Sequence, residues 1–221
     1  MQKTDTQIKH DIEKELEWDP AVNAAGIGIQ VHEGIVTVTG HLPNYAEKFA
    51  VERLLKRISG VRAFAIELDV KLPMDSKRTD AEIAEAAQHA LQWNNSVPSD
   101  QLKVMVEKGH VILSGQVDWG YQRTIAENTL RYLTGVTRVT NQISVKHRLA
   151  VTPIDIEKNI NAALHRQAES TAKRVSVSYV DGEATLQGTV HSWAERQAVR
   201  DAVWAAPGVT SIIDQIHVDY H

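Results

Sequence analysis

A seven-residue motif bounded by glycines occurs three times in this chain. Gly34-Ile-Val-Thr-Val-Thr-Gly40 reappears as Gly109-His-Val-Ile-Leu-Ser-Gly115 and again as Gly182-Glu-Ala-Thr-Leu-Gln-Gly188. Twenty residues beyond each second glycine stands a Gly-Val pair: Gly60-Val61, Gly135-Val136 and Gly208-Val209. The offset is 75 residues from the first copy to the second and 73 from the second to the third. Nine of the twelve glycines therefore sit at equivalent positions. A repeat of this length is one supersecondary unit, so the architecture is decided unit by unit.

Each unit opens on a helix. Ile8, Ile12 and Leu16 align with Ile83, Ala87 and Leu91 and with Ile156, Ile160 and Leu164, an apolar stripe on one helical face. Thr4 with Gln7 and Thr79 with Glu82 have the spacing of capping boxes, and Thr152-Pro153 has proline where a first helical residue lacks nothing by losing its N–H. Two strands follow. Ile27, Ile29 and Val31, then Leu102, Val104 and Val106, then Val175, Val177 and Tyr179 alternate with polar residues. Gly34, Gly109 and Gly182 supply the positive φ of tight hairpin turns. A second helix starts near Asn44, Asp118 and Ser192 and stops at Gly60, Gly135 and Gly208, and a third strand ends the unit.

The fold class is thus α+β: three tandem α-β-β-α-β modules, each a three-stranded mixed sheet with two helices packed on one face. The expected boundaries are residues 1–73, 74–148 and 149–221. Each module has its own small core, and contacts between modules add stability to cores that are marginal alone.

Composition narrows the function. No cysteine excludes disulfides, thiolate catalysis and Cys-bound zinc. A net charge of −4 argues against a nucleic-acid partner. No run is long and apolar enough to span a membrane, and no signal peptide is seen, so the chain as written is expected in the cytoplasm, or in the periplasm if a leader has been removed.

The pattern G-x-V-x-L-x-G-x-V, a charged helix, Gly-Val and a strand resembles the BON domain, a family named for bacterial osmotically inducible and nodulation proteins. Gly40, Gly60, Gly115, Gly135, Gly188 and Gly208 fall at its characteristic glycines. Its polar residue after Gly-Val is present as Asn141 and Asp214, whereas the first copy has Ile66. The resemblance implies osmotic-stress or transport-associated physiology, association with a phospholipid surface or an envelope protein partner, and no attached catalysis. The alternative is a soluble module that takes a small ligand or an ion.

The repeated glycines lie in a hairpin and after a helix, which is the wrong place for a phosphate loop. His217, Asp219 and His221 alternate onto one strand face as metal-ligand types, yet the corresponding positions elsewhere are Asp69 and Lys71, then Ser144 and Lys146. That set reads as a solvated outer strand, and no metal or other cofactor is expected. No Ser-His-Asp or paired-carboxylate set repeats, so no catalytic residue is expected.

Tyr45, Trp119, Tyr121 and Trp193 cluster at the starts of the second helices. Each ring either covers the open end of its own module or anchors a membrane or partner. Trp18 and Trp93 end the first helices at equivalent places, with Arg166 in the third copy, and are expected to be buried. Lys and Arg against Asp and Glu number 9 against 11 in residues 1–74, 9 against 8 in 75–149 and 6 against 9 in 150–221. The second copy is the least acidic. If one module faces anionic lipid it is this one, through Trp119, Tyr121, Arg123 and Arg131. Exposed outer strands also leave an oligomer open.

Overall fold

A computed structural model describes residues 3–146, 158, 160, 162, 174–206 and 208–219. In the first module α1 (Asp5–Trp18) leads into the hairpin β1 (Ile27–His32) and β2 (Ile35–Leu42), then α2 (Tyr45–Arg57) and β3 (Ala63–Val70). The second module repeats this as α3 (Asp80–Trp93), β4 (Leu102–Glu107), β5 (His110–Val117), α4 (Gly120–Arg131) and β6 (Arg138–Val145). The third contributes β7 (Val175–Val180), β8 (Glu183–Val190), α5 (Trp193–Trp204) and β9 (Ser211–Val218).

In each sheet the hairpin's second strand is central. It pairs antiparallel with the first strand and parallel with the last, as Val36 does with Val31 and Phe64. The parallel pairing requires a crossover, and the second helix supplies it. The expected three cores are present as three separate clusters. Val36 and Val38, Val111 and Leu113, and Ala184 and Leu186 are the fully buried centres, covered by Ile8, Ile12 and Leu16 in the first module and Ile83, Ala87 and Leu91 in the second. Of the expected first helix of the third module, Thr152, Pro153, Ile156, Leu164 and Arg166 lie outside the described residues. Ile160 is described and is buried in the third core.

Local chemistry accounts for the element ends. Thr4 and Gln7 close a capping box at α1, and Thr79 and Glu82 close one at α3. Asn44 accepts from the backbone N–H of Glu47 at 2.8 Å, and Ser192 accepts from that of Glu195 at 3.1 Å. The second module differs: its second helix is capped at Trp119, and the Gln122 side chain accepts from the N–H groups of Asp118 and Trp119.

The hairpin turns show positive φ at both central residues, as at Glu33 and Gly34, the mirror-image turn whose twist matches the strands. In the first two modules the first helix braces the turn. Asp5 accepts from Glu33 and Gly34, and Asp80 from Lys108 and Gly109, all at 2.8–2.9 Å. The motif's second glycine answers a close approach. A Cβ at Gly40, Gly115 or Gly188 would lie 2.0–2.2 Å from the carbonyl oxygen of Gly26, Gln101 or Arg174.

Candidate functional site

The second helices join the modules, and one rule describes all three junctions. The first turn of one module's second helix packs on the end of the next module's second helix or on the segment that follows it. Tyr45, first residue of α2, lies against the second module's core, and its hydroxyl is hydrogen-bonded to the backbone of Val139 in β6. Arg131, at the end of α4, stacks 3.7 Å from the ring centroid of Phe49 in α2. Gly120, first residue of α4, lies against Trp204, the last of α5, whose ring also sits 5.3 Å from the guanidinium of Arg123. Trp193, first residue of α5, donates its indole N–H to the carbonyl oxygen of Val61 at 3.2 Å and packs on Phe64 in β3 with ring centroids 5.8 Å apart. Phe64 and Val139 are equivalent under the 75-residue offset. The third module therefore returns to the first, and the three form a closed ring with cyclic pseudosymmetry.

This closure changes the role of several residues singled out by the sequence. Tyr45 and Trp193 cover neighbouring modules rather than their own. Burial is the main cause that pushes the Tyr45 hydroxyl above the ordinary tyrosine value, with the Glu52 carboxylate adding to it and the Val139 bond opposing. Arg131 is 14% exposed and pairs with Glu127 as well as with the Phe49 ring. Arg123 is half-buried, and it donates weakly to the Asn141 carbonyl at 3.5 Å. The two arginines, expected on one free face, thus point into junctions on opposite sides of the second module. Trp119 is half-buried, and Tyr121, at 41% exposure, is the most open of the four residues proposed for lipid.

The family's polar position has a visible structural use. Asn141 donates to the Arg123 carbonyl at 2.9 Å and to Glu127 at 3.1 Å, tying β6 to α4. Asp214 accepts from Arg196 at 2.9 Å, with Arg200 3.7 Å away, tying β9 to α5. Ile66 packs on the first core instead.

Trp18 and Trp93 correct the expectation of burial. Each is 87% exposed. They follow Leu16 and Leu91 by two positions, a rotation of about 200° that carries them to the side opposite the buried stripe.

Among the described residues no group of three His, Asp or Glu side chains is gathered as for a metal. His217 is exposed and Asp219 follows β9, while His221 lies outside the described residues. A cleft of about 560 Å³ runs between α3 and β4 past Glu85, Gln88, Leu102 and Lys103 and is open to solvent. No described helix is long and apolar enough to cross a membrane.

The BON domain model matches residues 4–71, 79–147 and 155–220. Osmotically-inducible protein Y of Escherichia coli (strain K12) is 25% identical over 149 residues, which is 64% of this chain and 73% of that protein. A structure of CdsD, a structural protein of the type III secretion system of Chlamydia trachomatis, is 16% identical with a TM-score of 0.28, covering 96% of this chain and 92% of that one. A structure of the CdsD C-terminal domain is 16% identical with a TM-score of 0.27, covering 99% and 100%. Nothing among these matches indicates a catalytic family. With the motif glycines and the family match each present three times, and the α-β-β-α-β order described in full in the first two modules, this chain belongs to the BON domain family.

Proposed function

We propose that this chain is a non-catalytic binding protein of osmotic-stress physiology that docks on a phospholipid surface. One observation carries the reading: Trp18 and Trp93, at equivalent helix ends, each leave 87% of their surface to solvent. Large exposed apolar rings are costly unless they are used, and tryptophan suits a surface that is apolar on one side and wet on the other. The similarity to an osmotically inducible protein supports the physiological setting.

The docking face is built from the first helices, with the second module's arginines serving the ring. Co-sedimentation of the full chain with phospholipid vesicles tests this. The protein is expected in the pellet, and Trp18→Ala with Trp93→Ala is expected to release it. Each inserted ring contributes on the order of 1–3 kcal/mol. A soluble wild-type chain at every lipid composition would end the reading and leave an envelope-associated protein partner in its place.

A further inference from the structure

We infer that the face bearing Trp18 and Trp93 recognises the ammonium group of zwitterionic phospholipid headgroups, so that electrically neutral bilayers are preferred over anionic ones. The inference rests on the phospholipid reading and specifies its headgroup. The charge around Trp18 points the wrong way for an anionic surface, and the end of the helix that carries Trp93 offers no base. Near the end of α1, Glu13, Glu15 and Glu17 stand against Lys14, while the acids of α3, Asp80, Glu82 and Glu85, lie toward its other end and its last turn has no lysine or arginine. Lys9 is held within 3.7 Å of Glu13, which reduces its reach. Trp18 shares a shallow cleft with Lys14, Glu15 and Glu17, where acid outnumbers base.

The helix ends add to this. Trp18 and Trp93 are the last residues of their helices, neither of which has a basic residue in its last turn. The unsatisfied carbonyls there present the negative end of the helix dipole. A tryptophan face is also the best aromatic partner for an ammonium or quaternary ammonium group. At Trp18 the ring, the carboxylates of Glu15 and Glu17 and the helix end attract the same cation, and at Trp93 the ring and the helix end do. In a bilayer of ethanolamine or choline headgroups such cations form a dense layer that exposed rings can meet. Arg123 and Arg131, the basic groups that anionic lipid would need, are committed to the junctions.

The test is partition of the full chain onto vesicles of phosphatidylcholine alone and of phosphatidylcholine partly replaced by phosphatidylglycerol. At low salt the neutral vesicles are expected to bind about threefold or more tightly, and added salt is expected to close the gap by screening the repulsion. Trp18→Ala and Trp93→Ala should each weaken binding to neutral vesicles, and the pair should abolish it. Glu15→Gln with Glu17→Gln should narrow the preference without changing the circular dichroism of the protein. Equal or tighter binding to the anionic vesicles at low salt would overturn the headgroup assignment while leaving the phospholipid reading standing. Absence of binding to both vesicle types would overturn both. Capture by a soluble lysine-rich peptide without vesicle binding would also overturn it, in favour of a cationic protein.

Discussion

The indole N–H of Trp193 donates to the carbonyl oxygen of Val61 at 3.2 Å, joining residues 132 positions apart in sequence. This bond, with the ring packed on Phe64, carries the contact that returns the third module to the first. Trp193→Phe keeps an aromatic ring on Phe64 and removes the donor, which is expected to cost about 1 kcal/mol. Trp193→Ala removes both and is expected to cost about 2–3 kcal/mol. Urea unfolding gives the two values. Equal, negligible losses would mean that the third module does not rest on the first.

Gly120→Ala probes the junction on the other side of the third module. An added Cβ would lie 2.4 Å from the Trp204 carbonyl oxygen and 2.6 Å from Cε3 of its ring. In an isolated helix the substitution would help, because alanine is the better helix former. Here the junction must separate, and a net loss of about 1–3 kcal/mol is expected. A stabilised variant in thermal unfolding would show that these helices do not touch.

Gly135→Ala should be costlier than Gly60→Ala. Both glycines stop a second helix at positive φ, +93° and +89°, which alanine adopts with a penalty of about 1–2 kcal/mol. At Gly135 the new Cβ would also lie 2.9 Å from Arg78 Cβ and from Ile83 Cδ1, whereas at Gly60 the nearest atom is Ile8 Cδ1 at 3.3 Å. Parallel thermal melts rank the pair. The opposite order would misplace the packing of α3 on that stop.

Tyr45 links the first junction to alkaline pH. Its hydroxyl is raised chiefly by burial, so the folded protein favours the neutral form more than the unfolded chain does. The stability this provides is complete below the ordinary tyrosine value near pH 10 and is lost as pH rises through the higher folded value. Wild-type stability should therefore fall above about pH 10 more steeply than that of Tyr45→Phe. Parallel alkaline slopes for the two proteins would place Tyr45 in water.

The modules were legible in sequence because burial imposes a period. Ile8, Ile12 and Leu16 report one helical face, Ile27, Ile29 and Val31 report one strand face, and both sets pack where that period puts them. The ring was not legible. Its junctions use Tyr45, Gly120 and Trp193 at one equivalent position, and Arg131 and Trp204 at another, where the copies do not resemble one another. Periodicity describes how a module covers its own core and is silent about the neighbour that covers its helix starts. The same limit explains the arginines. Positions 123 and 131 share a side of α4, but nothing local says that this side is already occupied. Trp18 and Trp93 were open to the sequence, since counting two residues past the stripe already rotates them away from the core.

A closed ring has no free end, and that limits how a further copy can enter it. An end-to-end stack of repeats grows or shrinks by duplication with little penalty, because each added copy finds the same neighbour. Here a fourth copy inserted in the chain would have to break the seating of Trp193 on Phe64, and the loss of one copy would strip the cover from two others. The junctions are also chemically distinct, so exchanging the order of the copies would set the bulk of Tyr45 or Trp193 against a surface shaped for Gly120. With the three junctions chemically distinct, each module is fitted to one place in the ring.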